Sequence, residues 1–284
     1  MIRSRREKLG EHTLIRGDCT TVLRRMPAQS VDVIVTSPPY NLGIEYRSYQ
    51  DRLPEECYLE WMEEVCASLK RVLKDGGSFF LNMSGSSSQP WLPFELLVRL
   101  RKLFVLQNHI TWIKSVSVGE KTHGHFKPLN SHRFVNRNHE HVFHLTKTGD
   151  VPVSRLAAGV PFTDKSNINR RRHAVDRRCR GDTWFIPYET VRSQKEKFSH
   201  PGTFPVALPE ACLRLHGAVE GDVLLDPFMG VGTSLIAAER QGLNGIGIDM
   251  DTRYVNRARK RLRTFLDHGS IDDTIAELSE EDHV

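Results

Sequence analysis

Ser37-Pro38-Pro39-Tyr40 concentrates hydrogen-bond acceptors in four residues. Pro38 and Pro39 have no backbone N–H, so the stretch presents hydroxyl and carbonyl oxygens without competing donors. The fixed φ of proline preorganises the neighbouring carbonyls. A hydroxyl and a carbonyl are what an –NH₂ group needs opposite it, and Tyr40 adds an aromatic face for a flat heterocycle. Such an amine is a poor nucleophile when its lone pair is delocalised into a ring. Two acceptors that hold its protons favour a pyramidal nitrogen, and rate then comes from positioning and electrostatics. The sequence shows no dedicated general base. Taken alone, the tetrad is equally a proline turn that closes a strand.

A second segment, Asp226-Pro227-Phe228-Met229-Gly230-Val231-Gly232-Thr233-Ser234, joins an apolar run to a helical pattern. Its glycines allow a tight turn and close approach of a ligand to a helix N-terminus. It is neither the G-x-G-x-x-G fingerprint nor a P-loop, because no Gly-Lys-Ser/Thr follows. One strand later the chain reaches Ile248-Asp249-Met250, where an acid can accept both hydroxyls of a ribose.

These segments need strands and helices to hold them. Val31–Thr36 is a compact β-branched run that the prolines force out of the sheet. Pro54 suits a first helical turn. From there Tyr58, Trp61, Met62, Val65, Cys66, Leu69, Val72 and Leu73 form one helical stripe, ending before Asp75-Gly76-Gly77. Strands are expected at 12–16, 78–83, 105–112, 140–145, 222–226 and 245–249. Helices are expected at 19–26, 91–104, 207–215, 231–240 and 252–266, and a long loop at 115–138. Strands alternating with helices imply a mainly parallel, doubly wound α/β sheet with helices on both faces.

Composition sets outer limits. A hydrophobic content of 39% and a charged content of 26% are those of an ordinary globular chain, and no apolar run approaches a membrane span. The basic start, Met1 to Arg6, has no apolar core after it, so no signal peptide is expected. Five scattered cysteines without a C-x-x-C pair fit a reducing, cytoplasmic setting. The net charge of +5 favours a polyanionic partner only weakly; its distribution says more. Between about 150 and 200 apolar periodicity fades and Arg155, Arg170, Arg171, Arg172, Arg177, Arg178 and Arg180 crowd in. Arginine grips phosphates and reads guanine edges bidentately. Lys114, Lys121, Lys127, Arg133 and Arg137 could add backbone contacts. Six histidines fall between 123 and 144, but 139, 141 and 144 lie on a strand whose alternate residues face opposite sides, so no metal site is expected.

Together these segments resemble the β-type amino-methyltransferases of bacterial restriction–modification systems, with the catalytic motif first and the cofactor glycines last. Thr36 to Tyr40 matches that family's catalytic motif, and Asp226 to Thr233 its methionine-binding motif. Asp249 matches the ribose acid, Gly17-Asp18-Cys19 the short segment beside the adenine ring, and Phe198-Ser199-His200-Pro201 through Phe204 and Pro205 the H-P-x-x-x-P segment. Glu140-His141-Val142-Phe143 resembles the motif beside the target-base pocket.

The resemblance implies a Rossmann-like fold with permuted motif order, S-adenosylmethionine as cofactor and S-adenosylhomocysteine as product. It implies double-stranded DNA as partner, a base flipped from the duplex, and a nucleoid-associated enzyme. With the arginine-rich interval 148–199 as a target-recognition insertion, the catalytic domain is expected at 1–147 and 200–268, and 269–284, with six acids and no Lys or Arg, is expected as an acidic tail. Ser37 at the head of the tetrad is typical of cytosine-N4 enzymes, whereas Asp or Asn marks adenine-N6 enzymes, so N4-methylcytosine is expected and adenine-N6 is the alternative. Carbon-5 chemistry is set aside because none of the five cysteines follows a proline. An RNA or protein methyltransferase, a DNA-binding module without catalysis, a cognate restriction endonuclease and a homodimer stay open.

Overall fold

A computed structural model describes residues 4–43, 49–124, 129–168, 175–187 and 203–269. Eleven strands and six α-helices are found there: β1 (Arg5–Leu9), β2 (His12–Arg16), α1 (Cys19–Leu23), β3 (Val31–Thr36), α2 (Glu55–Val72), β4 (Leu73–Met83), α3 (Leu92–Leu100), β5 (Val105–Ile113), β6 (Ser115–Val118), β7 (Lys121–Gly124), β8 (His139–Thr146), β9 (Thr183–Phe185), α4 (Ala207–His216), β10 (Val223–Asp226), α5 (Thr233–Glu239), β11 (Asn244–Asp249) and α6 (Thr252–His268). Nine strands make one sheet in the order β1-β2-β11-β10-β3-β4-β8-β5-β9. The central five, β2 to β4, are parallel to one another. β8 runs antiparallel between β4 and β5. This is the doubly wound sheet expected, and its last two parallel strands enter between β2 and β3.

Side-chain alternation divides the core into two layers. Ile34, Phe79 and Leu81 pack on one face with Tyr58, Met62, Val65 and Leu69 of α2 and with Leu96 of α3. Val33, Val35 and Phe80 pack on the other with Leu208, Leu235 and Ala258 of α4, α5 and α6. The expected α2 stripe is buried, apart from Trp61 at its margin.

Several local expectations are corrected. Asp75-Gly76-Gly77 lies inside β4, which starts at Leu73 beside Val31 and slips register before Ser78 meets Val33. The glycine tolerates this because a Cβ on Gly77 would sit 2.7 Å from the Asp32 carbonyl. Part of the loop expected at 115–138 is the β6–β7 hairpin. β1 was not foreseen; it is a charged edge strand on β2, of the kind that discourages edge pairing. β9, for which no strand is expected, extends the sheet beside β5, with Trp184 buried in the main core. The acidic tail from Ser270 and the residues Lys127, Arg170, Arg171, Arg172, Phe198, Ser199, His200 and Pro201 lie outside the described residues. No helix among the described residues is long and apolar enough to cross a membrane.

One polar string runs through this core. Ser78 Oγ lies 2.9 Å from both His144 Nε2 and His216 Nδ1, and His144 Nδ1 lies 2.9 Å from Asn108 Nδ2. His144 stacks on Phe80. Burial, with His216 beside it, pushes the His144 imidazole down to about 4. The folded chain therefore refuses a proton that the unfolded chain takes near 6.5, and stability is lost as pH falls between those values. In an NMR titration His144 should stay neutral until the pH nears 4, and His144→Phe should remove this component of acid sensitivity. Titration of His144 near 6.5 would contradict the assignment.

Candidate active site

The registers bring the functional segments to one edge of the sheet. The C-terminal ends of β3, β10, β11 and β4 lie there, with the start of β8 and the end of β5 beside them, since Met83 pairs with His141 and Ile113 with His139. Between β3 and β10 the connections diverge, β3 leading to β4 and β10 to β11. That is the switch point at which open α/β sheets bind ligands.

Asp226 fills this point. It is buried and accepts Thr36 Oγ1 and Ser234 Oγ, each at 2.6 Å, and the Phe228 N–H at 3.0 Å. Burial raises its carboxyl to about 6 against the pull of those hydrogen bonds. Thr36 and Asp226, both expected to touch the cofactor, thus bind each other and fix the turn. Gly232 has φ +79° and opens α5, and a Cβ there would lie 3.0 Å from that of Ala258. Arg261, which sequence reasoning missed, is buried under the turn and donates to the Val231 carbonyl and Thr233 Oγ1, both at 3.0 Å. Its only sequence signal is a charge inside the buried stripe Tyr254, Ala258, Leu262, Phe265 of α6.

Asp249 is half-buried across from this turn. Its two oxygens accept the Gly230 N–H (3.0 Å) and the Asp251 N–H (2.8 Å), which leaves each oxygen a lone pair for a hydroxyl. Gly17 N–H donates to the Asp249 carbonyl at 2.9 Å, so the Gly17-Asp18-Cys19 segment lies beside it. Asp18 caps α1 through the Thr21 N–H, and Cys19 is buried. Phe228 meets Trp61 edge-on, and Trp61 stacks on Tyr49, giving an apolar wall. Pro227 is buried, Met250 is half-buried, and Phe204 and Pro205 lead into α4 against the core. A glycine turn at a helix start, an acid with lone pairs to spare and an aromatic wall suit a nucleoside cofactor.

The tetrad stands at the end of β3. Ser37 Oγ donates to Tyr40 Oη at 2.7 Å, and Tyr40 Oη donates to Glu140 Oε2 at 3.0 Å. Asn82 Nδ2 donates to Tyr40 Oη at 2.7 Å and to Glu140 Oε2 at 2.8 Å. Lys114 Nζ pairs with Glu140 Oε1 at 3.0 Å. The Pro39 carbonyl accepts Tyr58 Oη at 2.7 Å. Downstream, Asn41 adopts φ +56°, and buried Asp51 accepts the N–H groups of Asn41 (2.8 Å) and Leu42 (3.0 Å). The segment is pinned at both ends. Asn82 and Asp51 carried no sequence signal.

The described arginines of the 148–199 interval are elsewhere, whereas Arg137 lies near enough to Glu140 to feel its charge. Ser154 N–H donates to the Leu215 carbonyl, so Arg155 lies at the end of α4 remote from Ser37. Arg177 donates to the Gly159 carbonyl, and the Arg178 backbone bridges Val160. Arg180 lies over Trp184, and burial with Arg214 and Arg177 nearby lowers its pKa. Among the described residues no group of three His, Cys, Asp or Glu is placed to hold a metal ion.

Burial raises the Asp249 carboxyl to about 7, against its two backbone hydrogen bonds. A ribose needs the ionised form, so the proton must leave before tight binding. Calorimetric affinity for S-adenosylmethionine should fall as pH drops below about 7, by up to about tenfold per unit. Asp249→Asn should weaken binding and flatten that profile; an unchanged profile would dismiss Asp249 as the ribose acceptor.

Comparison with known proteins gives a consistent result. The DNA methylase family model, named for N6 and N4 methyltransferases, matches residues 31–260. The chain is 29% identical over 258 residues to the DNA adenine methyltransferase YhdJ of Escherichia coli (strain K12), covering 88% of this chain and 82% of that one. Among solved structures, the PvuII DNA methyltransferase (cytosine-N4-specific) superposes with a TM-score of 0.65 at 19% identity, covering 94% of this chain and 90% of that one. A Thermus thermophilus protein assigned as a DNA modification methylase, complexed with S-adenosyl-L-methionine, gives 0.57 at 26% identity, covering 89% and 93%. The permuted sheet, the Asp226 turn at its switch point and the matched span all agree: this chain belongs to the N6/N4 DNA methylase family of S-adenosylmethionine-dependent DNA amino-methyltransferases.

Proposed function

We propose that the protein transfers a methyl group from S-adenosylmethionine to the N4 amino group of cytosine in duplex DNA, with the target base turned out of the helix. The observation that carries this reading is the Ser37 hydroxyl, tied to Tyr40 at the strand end that Thr36 bonds to the Asp226 turn. A hydroxyl there, rather than a carboxylate or amide, is what the family resemblance associates with cytosine.

When bound, the cofactor supplies an electrophilic methyl group on a sulfonium. The chain does the rest by positioning. Ser37 Oγ and a proline carbonyl accept the two amine protons, Tyr40 offers its ring face to the base, and Asp249 and the turn from Asp226 to Thr233 orient the nucleoside. A base must leave the stack to reach a pocket at the sheet edge. We assign target recognition to residues 148–199 on their arginine content.

Adenine-N6 transfer is the second reading, favoured by the similarity to a protein described as a DNA adenine methyltransferase. Nucleoside mass spectrometry of DNA from an expressing host should show N4-methylcytosine; N6-methyladenine without it would sink the first reading. Ser37→Ala should cut methyl transfer by about 100-fold or more while cofactor affinity changes little. A wild-type rate in that variant would remove Ser37 from the chemistry.

A further inference from the structure

Transfer to an amine creates a proton that must go somewhere. The nitrogen lone pair forms the new C–N bond, the S–C electron pair stays on sulfur, and the nitrogen becomes cationic. One proton per turnover must then leave to give the neutral methylamino group. In a closed pocket that proton needs an acceptor within hydrogen-bond reach. The two acids of the cofactor side are poorly suited. Asp226 already accepts Thr36, Ser234 and the Phe228 N–H, and the lone pairs that the Gly230 and Asp251 amides leave on Asp249 are taken by the ribose in this reading.

We propose that Ser37, Tyr40 and Glu140 form a proton relay that carries this proton from the methylated amine to the Glu140 carboxylate. The inference rests on amino-group methylation at Ser37. Both hydroxyls donate in the same sense, Ser37 to Tyr40 and Tyr40 to Glu140, at 2.7 and 3.0 Å. Ser37 Oγ takes the amine proton while its own moves to Tyr40 Oη, and the tyrosine proton moves to Glu140 Oε2. Both hydroxyls end as they began, and no free alkoxide or phenolate forms. Glu140 ends as the carboxylic acid and later gives its proton to water.

The neighbours set the direction. Asn82 donates its amide N–H to Tyr40 Oη and to Glu140 Oε2, so it offers neither atom a competing acceptor in those contacts. Asn82 is itself only 3% exposed, so its amide is fixed beside the string. Lys114 fixes the other carboxylate oxygen. Side-chain exposure of 19% for Lys114 and 13% for Glu140 gives the far end of the string access to water. Glu140 touches no reacting atom, so it acts through Tyr40 and Ser37.

Single-turnover methyl transfer into duplex DNA, with enzyme in excess, tests this. Glu140→Gln and Tyr40→Phe should each slow the step by about 100-fold, the scale of a lost proton acceptor, with cofactor and DNA affinities within about twofold. The double variant should be no slower than the slower single, because a string cut once is already cut. In mixtures of H₂O and D₂O the wild-type rate should curve with deuterium fraction, as several moving protons require, and both variants should lose that curvature. Wild-type rates in either variant, or losses that multiply in the double, would overturn the relay. If Glu140→Gln fails to fold, Tyr40→Phe and the solvent-isotope curve decide alone. Failure of the wild type to methylate DNA amino groups would remove the underlying reading, and the relay with it.

Discussion

A single buried hydrogen bond, Thr36 Oγ1 to Asp226 Oδ1, holds the two halves of the site in register. It spans the seam between β3 and β10, where the connections diverge. Thr36 precedes Ser37, and Asp226 begins the glycine turn, so this bond sets how far the tetrad stands from the turn. Ser234 and the Phe228 amide complete the coordination of the carboxylate. A buried acid satisfied in this way rigidifies its surroundings, whereas the same acid missing one partner would be costly. Remote groups extend the support: Arg261 under the turn, Tyr58 on the Pro39 carbonyl and Asp51 behind Asn41.

The site separates its acids by environment. Asp226 and Asp249 are held by backbone amides and hydroxyls, and burial lifts both above the usual carboxylate range. Glu140 instead faces Lys114 and an amide donor near the pocket rim. The first pair is suited to geometry and to ribose recognition. The third sits where charge can change without disturbing the turn, because it shares no partner with Asp226 or Asp249 in these contacts.

How much of this was visible in the chain depends on range. β3, the α2 stripe and the turn from Asp226 were legible because periodicity and proline or glycine punctuation are local signals. The family motifs located Ser37, Tyr40, Asp226, Asp249 and Glu140 for the same reason. Asn82 was not legible, since it meets Tyr40 across 42 residues and Glu140 across 58, with nothing nearby to mark it. Lys114 looked like one more loop lysine until β5 and β8 paired. Asp75-Gly76-Gly77 read as a turn because glycine pairs usually end elements, yet here they absorb a register slip. Trp184 carried a weak signal in a polar, arginine-rich stretch, and only its pairing beside β5 brings it into the core.

The strand order also governs how the molecule comes into being. β3 is made early, but its neighbour on one side is β10, and Thr36 waits 190 positions for Asp226. During synthesis the middle of the sheet is an open gap flanked by apolar edges until β10 and β11 arrive. Closure of such distant pairings is slow and leaves sticky surface exposed meanwhile. A ribosome that stalls before residue 226 releases a chain with an acceptor segment but no seam to hold it. The bond that ties the tetrad to the glycine turn can therefore form only after residue 226 has been made.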